Sequence, residues 1–110
     1  MLNWEVETLN TCVDNELERL PEDMRSRFVR VTALLEQFGP KQVGMPHIKS
    51  LGSKLWEIRV SGRDGIARGI YVIALSKKIV ILHVFIKKSQ KTPSTALNTA
   101  QQRAKDAKLI

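Results

Sequence analysis

The chain has 110 residues, 43% of them apolar and 26% charged, and carries a net charge of +7. That length supports one modest core, so residues 1–110 are expected to form a single domain. No apolar run nears the roughly 20 residues that span a bilayer. The start, MLNWEVETLN, lacks the basic region of a secretory leader, and the lone Cys12 leaves neither an internal disulfide nor a cysteine metal cluster. A cytoplasmic location follows as the expectation.

In chain order, Leu2 to Thr8 alternate loosely between apolar and polar, the period of a half-buried strand. Asn10 or Thr11 can cap a short helix reaching about Leu20, with Cys12 or Val13 and Leu17 turned inward. Pro21 interrupts, and Glu22 and Asp23 suit the first turn of a second helix. Met24, Phe28, Val31, Leu34, Leu35 and Phe38 give that helix one buried stripe, which Gly39-Pro40 ends. The two helices are expected to form a hairpin. Residues 41–54, punctuated by Gly44, Pro46, Gly52 and Ser53, read as an irregular connection.

Three β-rich runs follow: LWEIRV (55–60), IARGIYVIAL (66–75) and IVILHVFIKK (79–88). Short polar turns join them, as in an antiparallel meander. The last two are apolar on both faces at their centres, so the sheet should be covered on both sides there. Thr92-Pro93-Ser94 then opens a final helix, with Thr92 as cap and a narrow, mostly alanine apolar face that predicts light packing. The order is β-α-α-β-β-β-α, an α+β fold.

Charge is distributed unevenly. Residues 1–40 hold four basic and eight acidic side chains; residues 41–110 hold fourteen basic and three acidic ones. The second half therefore offers a face to a polyanion. Phosphate loops and dinucleotide fingerprints are missing, and His47 and His83 lack ligand-spaced neighbours, so neither metal nor cofactor is expected. The cations that remain stand on strands and their exits: Arg59, Arg68, Lys87, Lys88 and Lys91. A cation inside a β-rich run is costly unless its head reaches water, an acid or a bound anion. Glu57 shares a face with Arg59 by parity and can pair one arginine, but not two arginines and three lysines. His83, Phe85 and Lys87 share one face, making His83 either a proton-transfer candidate or a hydrogen-bonded core histidine. Tyr71 falls opposite Arg68 unless a bulge at Gly69 shifts the register.

On LWEIRV, ARGIY (67–71) and ILHVFIKKSQKTP (81–93), with Pro46, Lys49 and Leu51 ahead of them, the sequence resembles the RelE/ParE toxin superfamily. It is most similar to the phage-derived, HigB-like branch of type II toxin–antitoxin systems. The resemblance covers roughly residues 46–104. Lys54 departs from it, standing where that branch has glycine; it alters the turn and adds a charge beside the RNA-binding candidates.

The resemblance implies a RelE-like fold: a twisted antiparallel sheet with the N-terminal helical hairpin on one face, an RNA groove on the other, and a C-terminal helix. It implies a metal-independent endoribonuclease that cuts messenger RNA, often on the ribosome, by attack of a ribose 2′-OH on the adjacent phosphorus. Arg59 and Arg68 would clamp phosphate, and Lys87 or His83 would transfer the proton. Lys54, Lys88 and Lys91 would hold the backbone. The expected protein partner is an acidic or DNA-binding antitoxin with a helix-turn-helix. Two rival readings are a ParE-like inhibitor of DNA gyrase and a non-catalytic RNA-binding module. The strand arginines and the lysine cluster favour cleavage, and an aromatic content of 5% disfavours simple base-stacking binders.

Overall fold

Five strands of four to ten residues build the sheet on which everything else rests. A computed structural model describes residues 4–110. Its elements are β1 (Glu5–Thr8), α1 (Thr11–Glu18), α2 (Glu22–Val43), β2 (Ile48–Gly52), β3 (Leu55–Gly62), β4 (Gly65–Ala74), β5 (Lys78–Lys87) and α3 (Ser94–Asp106). The expected strand at Leu2 and Asn3 falls outside the described residues; Trp4 and Val6 are half-buried between exposed Glu5 and Glu7.

The strands form one five-stranded sheet in the order β1-β5-β4-β3-β2. Its hairpin-linked strands are antiparallel, but β1 lies parallel to β5, with Glu5 opposite Lys78 and Thr8 opposite Ile81. The sheet is therefore mixed rather than purely antiparallel, because the α1–α2 hairpin and the meander return the chain beside β1 in the same direction. The connection read as irregular contains β2, whose Ile48 is buried against the core. Its five residues, IKSLG, carry too little alternation to signal a strand.

Side chains of α1 and α2 cover one face. Val13, Leu20, Met24, Phe28, Val31 and Leu35 pack on Ile58, Val60, Tyr71, Ile79, Ile81 and Val84. Gly69 of β4 is required here, since a Cβ would overlap the Phe28 ring. Gly39, at φ 80°, breaks α2 before a last turn to Val43 and lies under the Trp4 indole. Val13, rather than Cys12, faces inward from α1; Cys12 is exposed, as is Phe38 at 48%.

The second face is not left open. Ala96, Ala100 and Ala104, spaced four residues apart on α3, bury against Leu55, Ile70, Val72, Val80 and Leu82. Small side chains let the helix approach the strands closely, so the alanine face makes a firm contact where light packing was expected. Thr92 does not cap α3; Pro93 occupies the cap position and the Thr92 hydroxyl points into the sheet. Among the described residues, no helix is long and apolar enough to cross a membrane.

Candidate nucleic-acid interface

Strand register sets the site. Arg59, Arg68 and Phe85 lie abreast on β3, β4 and β5, with Glu57, Ile70 and His83 as the next row and Ser61, Ile66 and Lys87 as the row beyond. Leu82 is an extra residue on β5 between the pairs Ile70–His83 and Tyr71–Ile81. This bulge turns His83 and Phe85 onto the α3 face with the arginines, and their rings stack at 5.0 Å. Tyr71 lies on the other face, buried in the α2 core, where burial pushes its phenol up.

The two arginines are organised around a fully buried Glu57. Glu57 Oε1 accepts from Arg59 Nε, and Oε2 accepts from Thr92 Oγ1 at 2.7 Å. Arg59 Nη2 also donates to the Gln90 carbonyl at 2.5 Å. Arg68 is fully buried and donates through Nη1 to Lys91 O at 3.0 Å and through Nη2 to Ser89 O. Its Nε is unpartnered among the described residues. Two guanidiniums thus meet one carboxylate, and three consecutive carbonyls of the loop after β5 absorb the excess. Burial, then the Arg59 charge, holds Arg68 below the usual arginine range against the pull of Glu57.

This geometry corrects the picture of two free phosphate clamps. Arg68 has no exposed surface, because an unpaired guanidinium at that depth would be costly and the loop folds over it. Only Arg59 retains an exposed fraction, 14% of its side chain.

The lysines present the opposite case. Lys87, Lys88 and Lys91 are all exposed, at the end of β5 and on the loop that Arg59 and Arg68 hold. Lys54 is exposed too, but in the β2–β3 turn, where Ser53 and Lys54 take φ 51° and 68°. Five residues of strand, about 17 Å, separate it from Arg59, so it does not join the cluster. The branch's glycine would adopt this left-handed turn without strain, and Lys54 adopts it at a cost.

His83 belongs to a second network that the sequence reading missed. Glu16 Oε1 receives the Val84 N–H at 3.0 Å, Arg103 Nη1 at 3.0 Å and His83 Nδ1 at 3.1 Å, while Oε2 receives Arg103 Nη2 at 2.9 Å. Arg103 also donates to Leu82 O at 2.8 Å and to the Cys12 thiol at 3.4 Å. Burial pushes the Glu16 carboxyl up, but hydrogen bonds from Arg103, Val84 and His83 outweigh it and hold the group below its usual value. With Nδ1 turned to Glu16, Nε2 is the ring nitrogen left to meet another group. A signal did exist: Glu16 interrupts the inward stripe of Val13, Leu17 and Leu20, and Arg103 borders the alanine stripe. Among the described residues, no three His, Cys, Asp or Glu side chains converge as a metal site would require.

Residues 15–105 match the family described as phage-derived protein Gp49-like (DUF891). The fold is similar to free E. coli toxin RelE, solved as an arginine double mutant, with TM-score 0.66 and 14% identity over 94% of this chain and 98% of that one. It is also similar to a chain in the archaeal RelE–RelB complex of Pyrococcus horikoshii OT3, with TM-score 0.58 and 22% identity over 82% of this chain and 100% of that one. No curated protein matches. On a match spanning most of its length and on its strand order, the chain belongs to the Gp49-like phage-derived family and is built on the RelE fold.

Proposed function

We propose that this chain is the toxin of a type II toxin–antitoxin pair: a cytoplasmic endoribonuclease that cuts messenger RNA on the ribosome. The observation that carries this reading is the triad of exposed lysines, Lys87, Lys88 and Lys91, on a loop anchored by two arginines with an excess of positive charge beneath it. Such a loop suits a phosphodiester, since fixed cations stabilise the charge that gathers at phosphorus in the transition state.

In the reaction a base takes the proton of a ribose 2′-OH, and the oxygen attacks the neighbouring phosphorus. The P–O5′ bond breaks and the leaving oxygen is protonated, giving a 2′,3′-cyclic phosphate and a 5′-hydroxyl. His83 Nε2 is the candidate base, its ring oriented by Glu16. Lys87, four residues along the same face, neutralises the phosphoryl oxygens, with Lys88 and Lys91 on flanking phosphates. Arg59 lies at the rim as a phosphate contact, and Arg68 acts as a positioning residue that holds Ser89 and Lys91. Lys54 contacts RNA only where the strand extends along the sheet to the β2–β3 turn. The chemistry calls for no metal.

RelE occurs with RelB in the archaeal complex. By likeness, the partner that silences this chain is an antitoxin, of helix-turn-helix type and with an acidic segment able to cover the lysine loop. The test is incubation of the purified protein with ribosome-bound messenger RNA in EDTA. Cleavage giving cyclic phosphate ends supports the reading. Intact RNA with growth arrest and broken DNA supports the gyrase alternative instead.

A further inference from the structure

A feature that the lysine loop does not account for lies along the outer edge of β3. β2 covers that edge only as far as Ile58, and the chain before β2 extends the cover by one step, with Arg59 N–H donating to His47 O at 2.8 Å. Beyond it, a cleft of about 630 Å³ opens between α2, residues 45–47 and the end of β3. This is within the range of roughly 300–1,000 Å³ typical of small-molecule pockets.

Its lining is two-sided. Val31, Leu34, Met45 and Val60 form an apolar wall, and Arg27 and Arg30, one turn apart on α2, form the rim. No lining residue is acidic. Arg27 is steadied by donating to Ser61 O at 2.6 Å, and neither Arg27 nor Arg30 has an ion-pair partner among the described residues. Paired guanidiniums match a phosphate, and the apolar wall beside them matches the face of a base or sugar. Arg59 and Gln90 also line this cleft, and Gln90 belongs to the loop that carries Lys88 and Lys91. The cleft and the lysine loop therefore form one continuous basic path around the end of β3.

We propose that the cleft is a nucleotide subsite for single-stranded RNA, holding a nucleotide that flanks the cleaved bond. Its phosphate sits on Arg27 and Arg30 and its base lies against Leu34 and Met45. The inference rests on the ribonuclease reading and adds to it a second contact point, which would give the protein a preference for sequence beside the cut.

The test is titration of the full chain with adenosine 5′-monophosphate, followed by amide NMR shifts. The expected result is movement of the amides of Met45, His47, Val60 and Ser61. Affinity should fall at least tenfold in Arg30→Glu and in Met45→Glu; Met45 is 72% exposed, so the second change leaves folding intact. Movement confined to Lys87–Lys91 overturns the cleft inference and leaves the ribonuclease reading standing. Movement in neither region overturns both. A glutamate-rich peptide that shifts the cleft amides where the nucleotide does not would assign the cleft to an acidic protein partner, and the nucleotide subsite would be wrong.

Discussion

Two arginine–glutamate networks hold the last quarter of this chain to its sheet, and they are built oppositely. At α1 and α3, Glu16 takes both Nη atoms of Arg103, the Val84 amide and the His83 ring, and its charge is matched one for one by that arginine. Under the loop after β5, Glu57 shares itself between Arg59 and Thr92, and Arg68 is left to backbone carbonyls. The shifts agree: the Glu16 hydrogen bond raises Arg103, whereas burial and the Arg59 charge lower Arg68. A closed network is a staple. A network with one cation too many holds a loop in place and still favours an approaching anion.

The sharpest way to break this contrast is to remove Glu57. Glu57→Gln would leave two guanidiniums beneath the loop with no counter-charge and should destabilise the protein by about 3–5 kcal/mol, read as a shift in urea midpoint. A change under about 1 kcal/mol would mean that the arginines are hydrated and the buried network is wrong.

Next in size is the staple. Arg103→Met should cost about 1.5–3 kcal/mol, since charged hydrogen bonds to Glu16 and one to Leu82 O are lost together. The pH dependence has a defined sign. The Glu16 carboxyl lies below its ordinary value of 4.5 when folded, so its contribution is complete above that value and fades as pH falls through the lower folded one. Wild type should therefore lose more stability than Glu16→Gln on acidification below 4.5; parallel acid curves for the two proteins would remove Glu16 from the account.

A smaller effect is expected at Thr92. Thr92→Val keeps the shape but leaves Glu57 Oε2 without its hydroxyl, at about 1–2 kcal/mol, with faster amide exchange in residues 88–92. Smallest of all is Cys12→Ser, which should stay within about 0.5 kcal/mol because the thiol is exposed and its contact with Arg103 is peripheral to the staple.

The fold was largely legible because period carries it. The α2 stripe and the three meander strands announce themselves at spacings of 3.6 and 2. That the first strand pairs beside the meander was expected; what stayed hidden was its parallel direction against β5, and β2, which is too short and polar to signal. The site was legible as a set of residue types and not as an arrangement. Arg59, Arg68, Lys87 and Lys88 stand out as cations in β-rich runs, but no sequence pattern shows that loop carbonyls will receive a guanidinium. Glu16 and Arg103 meet across 87 positions. Arg27 and Arg30 fall outside the apolar stripe of α2, and only the folded chain shows them beside Val31 and Leu34 in one cleft.

The central claim is that the lysine loop, held from below by the arginines, cuts RNA. Its most direct test compares wild type, Lys87→Ala/Lys88→Ala and Arg103→Met on messenger RNA in EDTA, with end-group analysis of the products. The account predicts 5′-hydroxyl and 2′,3′-cyclic phosphate ends from wild type, at least a hundredfold less cleavage from the double lysine variant, and ends of the same kind from whatever fraction of Arg103→Met is folded. Undiminished cleavage by the double lysine variant, or intact RNA with wild type, would contradict it.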